Sequence, residues 1–128
     1  MPFPLWWFRL ISFGRRSEID GAAHLRTLGF RIVASGYRIP EGEVDLVAWD
    51  GDQLVFIEVK ARQSDAPPED AVGLRKQKRV IRAAHSYLAR YRHHDISYRF
   101  DILAVTALSD REPIYRLLRD AFREQQHY

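Results

Sequence analysis

Residues 42–62 read Gly-Glu-Val-Asp-Leu-Val-Ala-Trp-Asp-Gly-Asp-Gln-Leu-Val-Phe-Ile-Glu-Val-Lys-Ala-Arg. Two β-like runs flank Asp50-Gly51, and Asp-Gly between alternating apolar runs is a strong short-range hairpin signal. Strand side chains alternate faces, so Glu43 pairs in direction with Asp45, and Glu58 with Lys60. A two-residue loop at Gly51-Asp52 puts Asp45 opposite Glu58 and Glu43 opposite Lys60. A loop at Asp50-Gly51 instead makes Asp45 and Glu58 diagonal neighbours on one face. Either register gathers carboxylates beside a lysine. Like charges in cross-strand pairs destabilise a sheet, and a divalent cation is the simplest reason to tolerate them.

The hairpin is apolar on both faces. Val44, Leu46, Ala48, Val55, Ile57 and Val59 fall on one side, and Val47, Trp49, Leu54 and Phe56 on the other. Strands of that kind are covered on both faces. Helical patterns lie on either side in sequence: Ser17 to Leu28, with Ser17 as N-cap and Gly29 as stop, and Val72 to Tyr91, with a stripe of Val80, Ile81, Ala84, Leu88 and Tyr91. Phe30 to Ile39 and Ser97 to Thr106 read as strands, Gln63 to Asp70 as a polar loop, and Ile114 to Phe122 fits strand or helix. The expected fold is α/β: a mixed β-sheet flanked by helices in three layers, α/β/α. An aromatic N-terminal arm, residues 1–13, precedes a single domain at 14–128.

With 128 residues, the chain is long enough for one domain with a genuine core. It contains no cysteine, which excludes disulfides, thiolate zinc sites, iron–sulfur clusters and cysteine nucleophiles. A cytoplasmic protein fits that composition. The start, with Trp6-Trp7-Phe8 interrupted by Arg9, lacks the pattern of a signal peptide and is too short to span a bilayer, so no integral membrane association is expected. The net charge is +3 and the isoelectric point about 9.4. Together with clustered arginines, this favours a polyanionic partner.

Glu58 ends the buried-type run Leu54-Val55-Phe56-Ile57, where an unpartnered carboxylate is costly. The bland reading pairs it with Lys60 or Arg62 at a strand end. With Asp45 opposite, it instead supplies the second oxygen ligand of a Mg²⁺ or Mn²⁺ ion. Lys60 then orients or deprotonates a water, or neutralises charge at phosphorus. Glu18 shares a helix face with Gly21, Ala22 and Leu25, small enough to bring it to the same point; a glutamate in a first helical turn is the bland alternative. Between Ala71 and His94 there is no Asp or Glu, while Arg75, Lys76, Lys78, Arg79, Arg82, Arg90 and Arg92 are present. A charge run is commonly a solvated face, but lysine and arginine also recruit phosphates. Lys76, Gln77, Arg79 and Arg82, with Arg38 and Arg62 flanking the acidic end, are the candidate nucleic-acid contacts. Lys76-Gln77 can also reach back toward the acids.

Asp45 followed by Glu58-Val59-Lys60 resembles the signature of the restriction-endonuclease-like PD-(D/E)xK nucleases. More of the chain is similar to the YraN family, relatives of archaeal Holliday-junction resolvases. The matching segments are Ser17-Glu18, residues 42–48, residues 55–62, Ala71-Val72 through Arg79, Phe100-Asp101-Ile102 and Asp120-Ala121-Phe122. Family members usually show Gly where this chain has Ser17 and Asn where it has Gly36. The resemblance implies Glu18, Asp45 and Glu58 as metal ligands and Lys60 as catalytic lysine; the candidate catalytic set is Asp45, Glu58 and Lys60 with Glu43. It points to a metal-dependent nuclease on DNA rather than RNA, acting on branched or damaged structures, and admits a homodimer. Two alternatives remain: a non-catalytic nucleic-acid-binding module, and an interaction module using the aromatic N-terminus.

Overall fold

The structure is a computed structural model that describes residues 5–63, 72–108 and 110–124, with side chains from Arg16 onward. The hairpin forms around Gly51-Asp52, with Asp50 paired to Gln53, and Gly51 takes a φ of +60° that a residue with a Cβ adopts only under strain. Its arms are β2 (Gly42–Asp50) and β3 (Gln53–Arg62). Outside β2 lies β1 (Arg31–Ile39), and beyond β3 come β4 (Tyr98–Thr106) and β5 (Ile114–Phe122). The five strands stand in the order β1-β2-β3-β4-β5, all neighbours antiparallel except β3 and β4. Parallel neighbours need a crossover, and α2 (Leu74–Arg90) provides it. The ambiguous tail is therefore the edge strand β5.

Each sheet face carries its own apolar cluster. On one face, Val47, Leu54, Phe56 and Phe100 pack with Val80, Ala83, Ala84 and Tyr87 of α2. On the other, Leu46, Ala48, Val55, Ile57, Leu103 and Val105 pack with Ala22 and Leu25 of α1 (Leu5–Thr27). Fully burying side chains such as Phe56, Leu46 or Ile57 contributes about 1.5–3 kcal/mol each. The result is the expected mixed sheet with one helix against each face.

Two glycines set how closely the helices approach. A Cβ on Gly21 of α1 would stand 2.9 Å from Leu103 Cδ2, and one on Gly42 of β2 would stand 1.9 Å from the Arg79 carbonyl oxygen of α2. The first contact can yield at a side-chain end, whereas the second is backbone and cannot.

Two expectations need correction, on Ser17 and on Val44. Helix α1 begins at Leu5, so Ser17 is a buried mid-helix residue rather than an N-cap, and Glu18 has no first-turn dipole to explain it. The backbone of residues 5–13 is helical and continuous with the rest of α1; the side chains of Trp6, Trp7 and Phe8 lie outside the described residues, as does most of the Gln63–Asp70 loop. Val44 packs on the α2 side with Val47, not with Leu46. Alternation breaks at Asp45, directly across from Gly36, whose φ is +66°.

Candidate metal and phosphodiester site

The break in alternation coincides with a fork in the sheet. The β2–β3 ladder runs from Asp50↔Gln53 to Leu46↔Ile57 and stops. Beyond it, β2 keeps pairing with β1 as far as Gly42, and β3 keeps pairing with β4 as far as Arg62. Strands that part leave backbone groups without partners, which is costly inside a protein. Asp45 answers that need: its Oδ2 accepts the Val59 N–H at 2.8 Å. Asp45 and Glu58 therefore flank the crotch of the fork from adjacent antiparallel strands.

The helices bring one group each. Gly21 lets α1 sit close, and Glu18, one turn earlier, comes beside Asp45. From the other layer, Lys76 Nζ lies 3.0 Å from Glu58 Oε1. Glu58 is 1% exposed, and its Oε2 has no hydrogen-bond partner among the described residues. Arg38 pairs with Glu43 at 3.0 Å on the rim.

These carboxylates disturb one another. Burial, then a hydrogen bond shared with the adjacent Asp45 carboxyl and that group's charge, pushes Glu58 up to about 8, against the pull of Lys76. Burial, Asp45 and Glu43 push Glu18 up to about 7, and Arg38 opposes them. Burial alone would lower Lys76, but the charges of Glu58, Asp45 and Glu43 outweigh it and raise it. Four carboxylates thus contend with two nearby cations.

Among the described residues, no three His, Cys, Asp or Glu side chains close on one point to hold an ion by themselves. Mg²⁺ usually takes only one or two carboxylates and fills its remaining positions with water and phosphate oxygen. Asp45 and the unpartnered Glu58 Oε2 suit that demand, with Glu18 behind Asp45 rather than forming a closed cage. Lys60 follows Glu58 on the same side of β3 by strand alternation and is half-buried. The lysine in contact with Glu58 is Lys76.

The other expected cations separate. Glu43, Gly73, Arg75, Lys76 and Arg79 line an open hollow of about 340 Å³ at the start of α2, next to the acids. Arg82 lines a different hollow, with Lys78, Ile81, His85 and Arg123. Gln77 does not reach the acids: its Nε2 donates to the Val72 carbonyl at 3.1 Å, tying α2 to the segment before it. Arg62, at the end of β3, is engaged in a contact of its own.

A second charged centre escaped the sequence reading. Asp101, fully buried on β4, accepts from Arg99 Nε at 3.0 Å and from the Asp120 N–H at 2.9 Å. Arg99 also reaches Asp50 at 2.8 Å and lies 5.8 Å from the Phe30 ring centroid. Asp120 takes a φ of +51° where the β4–β5 register shifts. Every partner is satisfied, so this cluster ties the hairpin to β4 and β5. The hint in the sequence was Arg99-Phe100-Asp101, whose two charges share one strand face.

The profile of the uncharacterised protein family UPF0102 matches residues 17–105. The chain belongs to the UPF0102 family. A UPF0102 protein of Chlorobaculum tepidum is 46% identical over 98 residues, covering 75% of this chain and 76% of that one. A UPF0102 protein of Geobacter sulfurreducens is 40% identical over 111 residues, 85% and 87% of the two chains. One from Syntrophotalea carbinolica is 38% identical over 109 residues, 84% and 89%. The UPF0102 match takes in every proposed acid, both lysines and all of α2. No helix among the described residues is long and apolar enough to cross a membrane.

Proposed function

We propose that this UPF0102 protein is a metal-dependent nuclease of the restriction-endonuclease-like kind, hydrolysing DNA phosphodiester bonds with a preference for branched or damaged structures. The observation that carries the reading is the unpartnered Oε2 of buried Glu58 at the sheet fork, beside Asp45 and Glu18. A fold that needed only stability would fill that position with an apolar side chain, because a buried carboxylate costs several kcal/mol unless it is paired and fully hydrogen-bonded.

Asp45 and Glu58 would hold Mg²⁺ or Mn²⁺, with Glu18 supporting Asp45. The ion supplies Lewis acidity at a phosphoryl oxygen and a more acidic water. Asp45 also locks the fork open through the Val59 N–H, fixing the distance between strands at the site. Lys60 is the group for orienting the water and offsetting charge at phosphorus. Arg75 and Arg79, lining the adjacent hollow, meet the flanking phosphates. Glu43 is held by Arg38 at the rim and shapes the local field rather than the chemistry.

One observation favours the alternative of a non-catalytic nucleic-acid-binding module, namely that Glu58 already has an internal cation in Lys76. Hydrolysis decides between them. Labelled four-way junction, flap and linear duplex are incubated with wild type and with Lys60→Ala in Mg²⁺ and in Mn²⁺. The nuclease reading expects cleavage by wild type, lost in Lys60→Ala while binding persists. Binding without cleavage under every condition establishes the alternative.

A further inference from the structure

Lys76 occupies a peculiar position. Residues 76, 80, 83 and 87 share one side of α2, and Val80, Ala83 and Tyr87 are buried there. Lys76 continues that stripe at its solvent-exposed end and pairs there with the buried Glu58 at 3.0 Å. The two ends of that pair differ sharply: the Lys76 side chain is 48% exposed and that of Glu58 2%. Glu58 cannot reach water without unfolding its strand. Lys76 can, since its flexible stem lets the ammonium turn outward to the hollow formed with Glu43, Arg75 and Arg79. Of the two carboxylate oxygens, Lys76 takes only Oε1 and leaves Oε2 unpartnered.

We infer that Lys76 is a resident counterion that stands in the place of the divalent cation, leaves Glu58 when the cation enters, and thereby sets the metal affinity of the site. The inference rests on the metal-binding reading of Asp45 and Glu58. Departure of the ammonium without replacement would strand a buried carboxylate, so the exchange is coupled: Lys76 leaves as the ion arrives. The divalent charge would then balance Glu58, and the freed ammonium would be available to the hollow lined by Glu43, Arg75 and Arg79. The site is in this way held closed to weakly binding monovalent ions and opened by divalent ones.

The test is Mn²⁺ titration by isothermal calorimetry, with no nucleic acid present, on wild type, Lys76→Met and Lys76→Arg. Methionine keeps much of the stem and removes the charge. At a pH where Glu58 is ionised in both proteins, checked by the proton release that accompanies each titration, Lys76→Met should bind Mn²⁺ at least about tenfold more tightly, because the ion no longer displaces a competitor, while Lys76→Arg should stay near wild type or below it. Thermal unfolding gives a second readout: the Mn²⁺-induced rise in Tm should be larger in Lys76→Met than in wild type. Mn²⁺ binding that Asp45→Asn abolishes, but that Lys76→Met leaves equal or weaker, overturns the counterion role alone. Absence of Mn²⁺ binding in every variant overturns the metal reading and this inference with it.

Discussion

Replacing Glu58 by glutamine probes the energetic heart of the fork. The Glu58 carboxyl is raised from 4.5 to about 8, first by burial and then by Asp45. Between those pH values the folded chain holds a proton that the unfolded chain has released, so stability falls as pH rises. The contribution is fully present below pH 4.5 and lost by about pH 8. At 1.36 kcal/mol per pH unit the loss approaches roughly 4 kcal/mol for this one group. Glutamine imitates the protonated carboxyl in shape and cannot ionise. Lys76, half-exposed, takes up water when its charged partner is gone. Urea unfolding in metal-free buffer at pH 5, 6, 7 and 8 should show wild type losing most of that stability. Glu58→Gln should lose much less, keeping only the slope from Glu18, which titrates up to about 7. At pH 8 the variant should unfold at higher urea than wild type. Equal pH slopes in the two proteins would refute the claim that the fork crowds ionisable carboxylates.

Three further outcomes follow from the geometry. Gly42→Ala forces a Cβ against the Arg79 carbonyl and should cost about 1–3 kcal/mol in urea unfolding, with α2 pushed off β2. Arg99→Met leaves Asp101 buried without its cation and should cost about 3–5 kcal/mol, while Mn²⁺ affinity stays unchanged because Asp101, paired with Ile57, faces the opposite side of the sheet from Glu58. Arg79→Ala should lower the slope of log K against log salt for duplex DNA by about 0.9 if that side chain meets a phosphate, and Arg82→Ala, which lines a different hollow, should leave it unchanged.

The sequence revealed the hairpin because local signals agree there: the Asp-Gly turn, the strand-length runs and apolar residues on both faces all specify one element. Glu18 was legible through its neighbours, since Gly21 and Ala22 announce a helix face that packs tightly. The start of α1 was not, because Ser17 has the chemistry of an N-cap and nothing in the preceding aromatic run marks a helix end. Strict alternation misplaced Val44. A two-residue period cannot foresee a break, and the one clue, Gly36, sits on the neighbouring strand, across from Asp45. The all-basic stretch of α2 looked like one phosphate-binding face, and residues three apart do share a helix side, yet Arg79 lines the hollow beside the acids and Arg82 lines another, a division that depends on what packs around the helix. The Lys76–Glu58 pair depends on a contact between the two, which spacing within α2 hinted at and only the packing of α2 on the sheet could complete.

The central claim is that Asp45 and Glu58 form a divalent-cation site, and Mn²⁺ calorimetry on three proteins tests it most directly. Wild type should bind one Mn²⁺, and Asp45→Asn and Glu58→Gln should each abolish binding while circular dichroism shows an unchanged fold. Mn²⁺ affinity that is the same in wild type and both variants would contradict the account.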